Sequence, residues 1–118
     1  MTEETVKPKI NYKDIIGSED RITWLCKHNQ WKLGLTDEDA CVRLRAYRKL
    51  GFTKKALKDE DWRNRLEAYR ALGFTEKAFK DESPTIRIEA GRELGFTEET
   101  LRDDSIYVRS QAWAWFEF

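Results

Sequence analysis

Arginine residues recur at a fixed spacing of 22 positions along this 118-residue chain. Aspartates recur at the same spacing, and each of them is followed by a second acidic residue. The arginines are Arg21, Arg43, Arg65, Arg87 and Arg109, and the aspartates are Asp37, Asp59, Asp81 and Asp103. A guanidinium binds a carboxylate or a phosphate through two parallel N–H groups, so this arginine column has two interpretations. Each arginine can pair with an acid of its own or the next repeat and hold the stack in register, or the arginines can form a phosphate-binding array.

A second set of candidate binding residues lies in the basic middle of the chain, where aromatic side chains stand among the charged ones. Residues 21–80 carry a net charge of +7 and residues 81–118 carry −5, although the whole chain is neutral. The candidate partner-binding residues here are Arg43, Arg45, Arg63, Arg65, Arg70 and Trp62. Such a surface suits an acidic protein partner, and it can also bind a nucleic-acid backbone and stack bases. The simpler alternative is a solvated helix face whose aromatic side chains belong to the core.

The end of the chain is rich in aromatic residues. Trp113 falls in the column of Tyr47 and Tyr69 and is predicted to lie in the core, whereas Trp115 departs from the repeat pattern. Trp115 and Phe118 are therefore candidate partner-binding residues. They form either an aromatic cap folded over the last repeat or a docking face for a partner or a second copy.

Other residues that could do chemistry favour structural roles. The acidic pairs stand where helix N-termini are expected, and no calcium-loop pattern accompanies them. His28 is the single histidine, and Cys26 and Cys41 are interpreted as buried or half-buried free thiols, with a disulfide as the alternative. No nucleophile–histidine–acid set and no Gly-rich phosphate loop is present in the sequence. The sequence therefore predicts no catalytic, cofactor or metal site, and an enzyme is not expected.

The spacing of the arginines belongs to a repeated sequence unit of 22 residues, whose clearest copy runs from Leu72 to Glu93. Self-similarity at a fixed period is typical of stacked repeat proteins. The unit predicts two short helices, such as residues 54–58 and residues 62–72. The predicted helix N-caps are Thr53, Thr75 and Thr97 for the first helices and Asp39, Asp61, Ser83 and Ser105 for the second ones. Pro84 suits the first helical position, because the N–H that proline lacks has no helical partner there.

A Gly-Phe pair recurs at the ends of the second helices. Gly73 fits the position after the helix, and Phe74 is expected to pack back on Tyr69 as in a Schellman motif. Gly91 replaces the tyrosine in the next repeat, so a gap or a different packing is expected there. Asn29 takes the place of the glycine one repeat earlier and tolerates a left-handed conformation. The residues predicted to be buried between neighbouring repeats are Leu57, Trp62, Leu66, Ala68, Tyr69 and Leu72.

The chain is predicted to be one domain with atypical ends. Residues 1–9 are predicted to be a flexible lead, residues 10–32 an N-terminal cap and irregular first repeat, and residues 33–118 a regular array with an aromatic C-terminal cap. No apolar run approaches the ~18 residues of a membrane span, and no secretion signal is evident. A cytoplasmic protein without membrane contact is therefore expected.

One pattern resembles known helical repeats. Acidic residues, then Val-Arg and a small residue three positions later, recur at residues 37–46 and 103–112. The pattern resembles the leucine-rich repeat variant family and, more loosely, the HEAT family, over about residues 21–118. The resemblance implies an all-α fold, a right-handed α-solenoid of about four to five 22-residue two-helix repeats. HEAT units are about forty residues long, so the helices here are expected to be shorter. Some leucine-rich repeat variant proteins carry an iron–sulfur cluster, which two distant cysteines cannot supply.

The resemblance and the charge pattern together predict a non-catalytic protein–protein interaction module that binds its partner through the surface of the second helices. The alternative is a nucleic-acid-binding HEAT-like module that uses the basic middle segment. Some HEAT-like proteins are DNA glycosylases, but this chain is short for one and no carboxylate stands apart from the repeats. Self-association stays open because of the dipolar charge and the aromatic end.

Overall fold

The computed structural model describes residues 9–117, and within that range it contains helices but no strand. The predicted all-α class is therefore confirmed. The α-helices are α1 (Ser18–His28), α2 (Ala40–Leu50), α3 (Trp62–Leu72), α4 (Pro84–Leu94) and α5 (Ile106–Glu117). A short 3-10 helix precedes each of them: Tyr12–Asp14, Trp31–Thr36, Lys54–Lys58, Glu76–Lys80 and Glu98–Arg102. The predicted flexible lead falls almost entirely outside the described residues, and so does Phe118.

The second helices begin as the sequence predicts. The carboxylates of Asp39 and Asp61 accept a hydrogen bond from the amide two residues later, and the Ser105 hydroxyl does the same for Tyr107 at 3.2 Å. Ser83 occupies the corresponding position before Pro84 without a side-chain cap hydrogen bond. Thr53, Thr75 and Thr97 occupy the predicted N-cap positions of the 3-10 helices, but their hydroxyls do not make the expected cap hydrogen bond.

The ends of these helices differ from the predicted Schellman motif. The Gly73 amide donates to the Tyr69 carbonyl at 2.7 Å, and the chain then leaves with φ +102° and ψ 141°. This backbone is left-handed in φ but extended in ψ, so glycine is needed although no αL turn forms. The Schellman hydrogen bonds occur instead at the left-handed Asn29, where the Gln30 amide donates to the Leu25 carbonyl at 3.1 Å.

Three arginines of the column hold consecutive repeats together, which confirms the structural interpretation for these residues. Each of three arginines donates Nε and Nη2 to the two carboxylate oxygens of an aspartate sixteen residues later, at 2.8–3.2 Å. The pairs are Arg21–Asp37, Arg65–Asp81 and Arg87–Asp103. The Nη1 atom of each arginine donates to carbonyls five and six residues earlier. Each guanidinium therefore joins the turn before its own helix to the turn of the next repeat, and we call this arrangement the arginine staple.

The described chain divides into two compact units, with the boundary in the sequence between Gly51 and Phe52. The core of the first unit contains Ile22, Leu25, Trp31, Val42 and Ala46. The core of the second unit contains Leu66, Tyr69, Ala78, Ile86 and Ala90. Trp62 and Leu72 were predicted to be buried, but both are exposed, so they lie outside the core.

The phenylalanine that follows the glycine at a helix end packs differently in two successive repeats. Phe74 stacks on Tyr69 with ring centroids 5.5 Å apart, as predicted. In the next repeat Phe96 is buried directly against the Gly91 backbone, where a Cβ atom would lie 2.2 Å from its ring. The different packing expected at Gly91 is therefore confirmed, and no gap is left. None of the helices built by residues 9–117 has the length and apolar character that crossing a membrane requires.

Candidate partner-binding site

Two of the predicted binding arginines, Arg65 and Arg43, use their guanidinium groups in hydrogen bonds within the protein. Arg65 donates to both carboxylate oxygens of Asp81 at 3.0 Å and to the Asp59 and Glu60 carbonyls. Its hydrogen bond to Asp81 raises the pKa of the Arg65 guanidinium. Arg43 likewise donates Nη1 to the Asp37 carbonyl at 2.8 Å. Neither guanidinium is free to bind a phosphate or a partner without giving up hydrogen bonds that hold the repeats.

Arg63 stands two residues before Arg65 and points to solvent, with 68% of its side chain exposed. Its Nε and Nη2 atoms lie 3.2 and 3.1 Å from the Asp61 carboxylate, which also caps the helix by accepting from the Arg63 amide. These hydrogen bonds lower the pKa of Asp61. The contact to Asp61 is local to one helix turn, and exposed pairs of this kind contribute little to stability.

Arg70 belongs to a row of alternating charges that crosses the second unit. It lies 3.9 Å from Glu67 on its own helix and 3.7 Å from Glu89 on α4. Glu89 in turn lies 3.6 Å from Arg92, whose Nη2 donates to the Gln111 side chain of α5 at 3.3 Å. This charge row links the exposed sides of α3, α4 and α5, and its distances are those of loose surface pairs.

Arg45 and Trp62 are exposed at the surface of their helices. Arg45 of α2 occupies the position that Glu67 holds on α3 and Glu89 holds on α4. The second helix of the first unit therefore lacks the acidic residue that completes the charge row in the second unit. Trp62 is 41% exposed at the start of α3, next to Arg63, and offers an aromatic surface beside a cation.

The aromatic end of the chain packs partly onto the repeat before it. The Trp115 ring lies 6.3 Å from Phe96 and 5.2 Å from Phe116, and it contacts the space beside Gly95. Half of Trp115 nevertheless stays exposed, and Trp113, predicted to be core, is 52% exposed. Trp115 thus covers part of the preceding repeat while keeping an accessible face.

The remaining candidate residues are placed as follows. Cys26 and Cys41 are free thiols and both are exposed, so the prediction that they are buried or half-buried is wrong. The His28 ring lies 4.3 Å from the Trp24 ring. Within residues 9–117 no three His, Cys, Asp or Glu side chains come together as a metal site would require.

Sequence reasoning missed three residues that belong to the arginine staple or to the charge row. Tyr12 donates a hydrogen bond to Asp37, and its pKa is raised by burial and by that bond. Its distance of 25 residues from Asp37 follows no repeat spacing, so nothing in the sequence indicated it. Glu67 and Glu89, by contrast, stand 22 apart, and each precedes an arginine by three residues. That Glu-x-x-Arg pattern at the repeat period was the signal for the charge row.

Comparison with known proteins leaves the family open. No protein-family model matches the chain, and searches of curated proteins and of solved structures return no match. The resemblance to leucine-rich repeat variant and HEAT-like repeats therefore stays a hypothesis.

Proposed function

We propose that this chain is a non-catalytic protein–protein interaction module, whose repeats stack as a right-handed α-solenoid and bind a partner through the exposed surface of the second helices. The observation that carries the proposal is that the arginines of the basic segment fall into two groups, one held by internal hydrogen bonds and one exposed. Arg43 and Arg65 are held by internal hydrogen bonds, whereas Arg45 and Arg63 are exposed on the second helices. A cytoplasmic location is part of the same proposal.

The chemistry of the exposed surface favours an acidic protein partner. Arg45 is exposed on α2 and Arg63 on α3, and Trp62, the residue before Arg63, supplies exposed apolar area. Aromatic and arginine side chains of this kind supply most of the affinity at protein interfaces. The loosely paired Arg70 can contribute when a partner carboxylate competes with Glu67 or Glu89.

The nucleic-acid alternative is less well supported by this geometry. The nucleic-acid alternative needs five arginines to bind phosphates. Two of them, Arg43 and Arg65, already donate hydrogen bonds to backbone carbonyls of the same chain. The charge row also places two acidic side chains, Glu67 and Glu89, beside Arg70. Carboxylates at that position repel a phosphate backbone and reduce the number of counterions that binding could release.

The test is affinity capture from host lysate with the full chain as bait, with and without nuclease, followed by identification of the captured protein. Arg45→Glu and Trp62→Ala should each reduce recovery of one partner at least about tenfold, the usual loss at a central interface residue. Lys77→Glu makes the same charge change on an exposed 3-10 helix residue and should leave recovery unchanged. Recovery that is lost with nuclease would refute the protein-binding proposal in favour of nucleic acid.

A further inference from the structure

The 3-10 helices of the second unit change in charge from one repeat to the next. Three of them lie within this unit, and each presents three exposed charged side chains. These residues are Lys54, Lys55 and Lys58 in the first helix, Glu76, Lys77 and Lys80 in the second, and Glu98, Glu99 and Arg102 in the third. Three cations are followed by two cations with one acid and then by one cation with two acids. The net charge therefore falls from +3 to +1 to −1 along the unit.

Neighbouring 3-10 helices of this unit lie side by side, because they line shared depressions of the surface. Lys58 and Lys80 line the depression between the first and second helices, and Lys80 and Glu98 line the cleft between the second and third. The three helices therefore form one continuous surface, which we call the 3-10 face. Glu76 and Lys77 in the middle of this face are exposed although another repeat follows them, so a following repeat does not cover it.

The cleft between the second and third of these helices suits lysine side chains. Its volume is about 860 Å³, and its apolar lining comes from Phe79 and from Leu94, which is 48% exposed. The exposed carboxylates of Glu76, Glu98 and Glu99 also line it, and within residues 9–117 none of the three pairs with a cation. A lysine can cover apolar surface with its methylene stem while its ammonium group meets a carboxylate.

We propose that a second copy of this chain docks on the 3-10 face in antiparallel orientation, with Lys54 and Lys55 of each copy against Glu98 and Glu99 of the other. The charge gradient selects this occupant, because one surface carries both the basic and the acidic side of the contact. A two-fold axis at the middle 3-10 helix brings the +3 end of each copy to the −1 end of the other. Such an arrangement closes at two copies, whereas a head-to-tail contact would continue into a filament.

The proposed dimer is reversible and sensitive to salt. Exposed ion pairs contribute little individually, and salt screens them further. The two-fold axis makes each contact twice, so four lysines and four glutamates take part. The 3-10 face does not include the second-helix surface, so the dimer and the interaction module can each fail without the other.

The test is sedimentation of the full chain from micromolar to millimolar concentration. We expect a mass approaching two copies in about 20 mM salt and a return to one copy at about 0.5 M, where the charges are screened. Lys54→Glu/Lys55→Glu and Glu98→Lys/Glu99→Lys should each weaken self-association at least about tenfold, because the facing charges become alike. An equimolar mixture of these two variants should dimerise like the parent, because opposite charges then face each other again.

A matched control carries the same change in net charge on the second helices. Arg70→Glu/Arg92→Glu alters two half-exposed arginines of α3 and α4 and should leave self-association as in the parent. A monomer at millimolar concentration in low salt overturns the proposal, and so does a mixture of the reversed variants that fails to dimerise. Assembly beyond two copies would refute the two-fold pairing. Self-association that survives in both reversed variants but is lost with Trp113→Ala would place the contact on α5 and refute the 3-10 face.

Discussion

Arg65 and Arg63 stand two residues apart on the same helix but differ in their contacts and in their exposure. Arg65 reaches the carboxylate of the next repeat and two carbonyls of the preceding turn, and only 14% of its side chain is exposed. Arg63 contacts the cap residue of its own helix and is largely exposed. The comparison shows that a repeated residue is not the same as a functional one. Arg65, a member of the strict arginine column, links two repeats, whereas Arg63, outside that column, stays largely exposed.

The arginine staple and the charge row differ in the length of their contacts. The staple joins its groups at 2.8–3.2 Å in two parallel hydrogen bonds, whereas the ion pairs of the charge row lie 3.6–3.9 Å apart. Buried, bidentate pairs are costly to break from one side, and exposed pairs at these distances contribute little. Substitutions at Arg87, Asp103 and Arg70 test this difference, and a substitution at Gly91 tests the packing between repeats.

Arg87→Ala should cause the largest loss of stability. It leaves the partly buried Asp103 without its guanidinium and removes the donor to the Asp81 and Glu82 carbonyls. Breaking a buried pair from one side costs about 3 kcal/mol, which should appear in the free energy of unfolding measured with urea. Arg87→Lys should recover only part of that loss, because an ammonium cannot donate in parallel to both carboxylate oxygens. If the Ala variant unfolds like the parent, the staple does not hold the repeats.

Gly91→Ala tests the buried column at the repeat where glycine replaces tyrosine. In the interior of a helix this change usually stabilises by about 1 kcal/mol. Here the new methyl group would lie 2.2 Å from the Phe96 ring, so we expect a loss of about 1–3 kcal/mol by thermal or urea unfolding. The double variant Gly91→Ala/Phe96→Leu should recover part of the loss, because the smaller side chain frees the space. A more stable Gly91→Ala variant would contradict the described contact.

Acid should remove the stability that the arginine staple contributes through Asp103. Burial alone would raise the pKa of Asp103, but hydrogen bonds from Arg87 and from the Ser105 amide outweigh it and lower that pKa. The unfolded chain therefore takes up the proton first, and stability from Asp103 is present above about pH 4 and is lost as the pH falls through the folded pKa.

The measurement is the free energy of unfolding at a series of pH values below neutrality. Asp103→Asn removes the titrating group and should make the acid side of the profile flatter, while lowering stability at neutral pH. Glu99→Gln alters an exposed acid of the preceding 3-10 helix and should leave the slope as in the parent. Equal slopes for the parent and Asp103→Asn would mean that this carboxylate does not contribute to acid sensitivity.

Much of the fold could be predicted because its signals are local. The limits of α3 at Trp62 and Leu72 and of the short helix from Lys54 to Lys58 follow from caps and a repeating pattern. The helix ends could not be predicted in detail, because glycine after a helix is compatible with several left-handed backbones. For the candidate site, the basic composition of residues 21–80 placed Arg65 and Arg63 in one set, although only Arg65 belongs to the 22-residue column. The distance from Arg65 to Asp81 shows which of the two joins neighbouring repeats.

Arg70→Ala should have the smallest effect on stability. Its two ion pairs are long and its side chain is half exposed, so the loss should be about 0.5 kcal/mol or less in urea unfolding. Added salt should reduce even this difference, since exposed charges are screened within about 10 Å at 0.1 M. Arg87→Ala is the matched contrast, because its loss should persist in salt. If Arg70→Ala cost as much as Arg87→Ala, the charge row would be a second structural support, and the difference in stability between buried and exposed arginines would no longer hold.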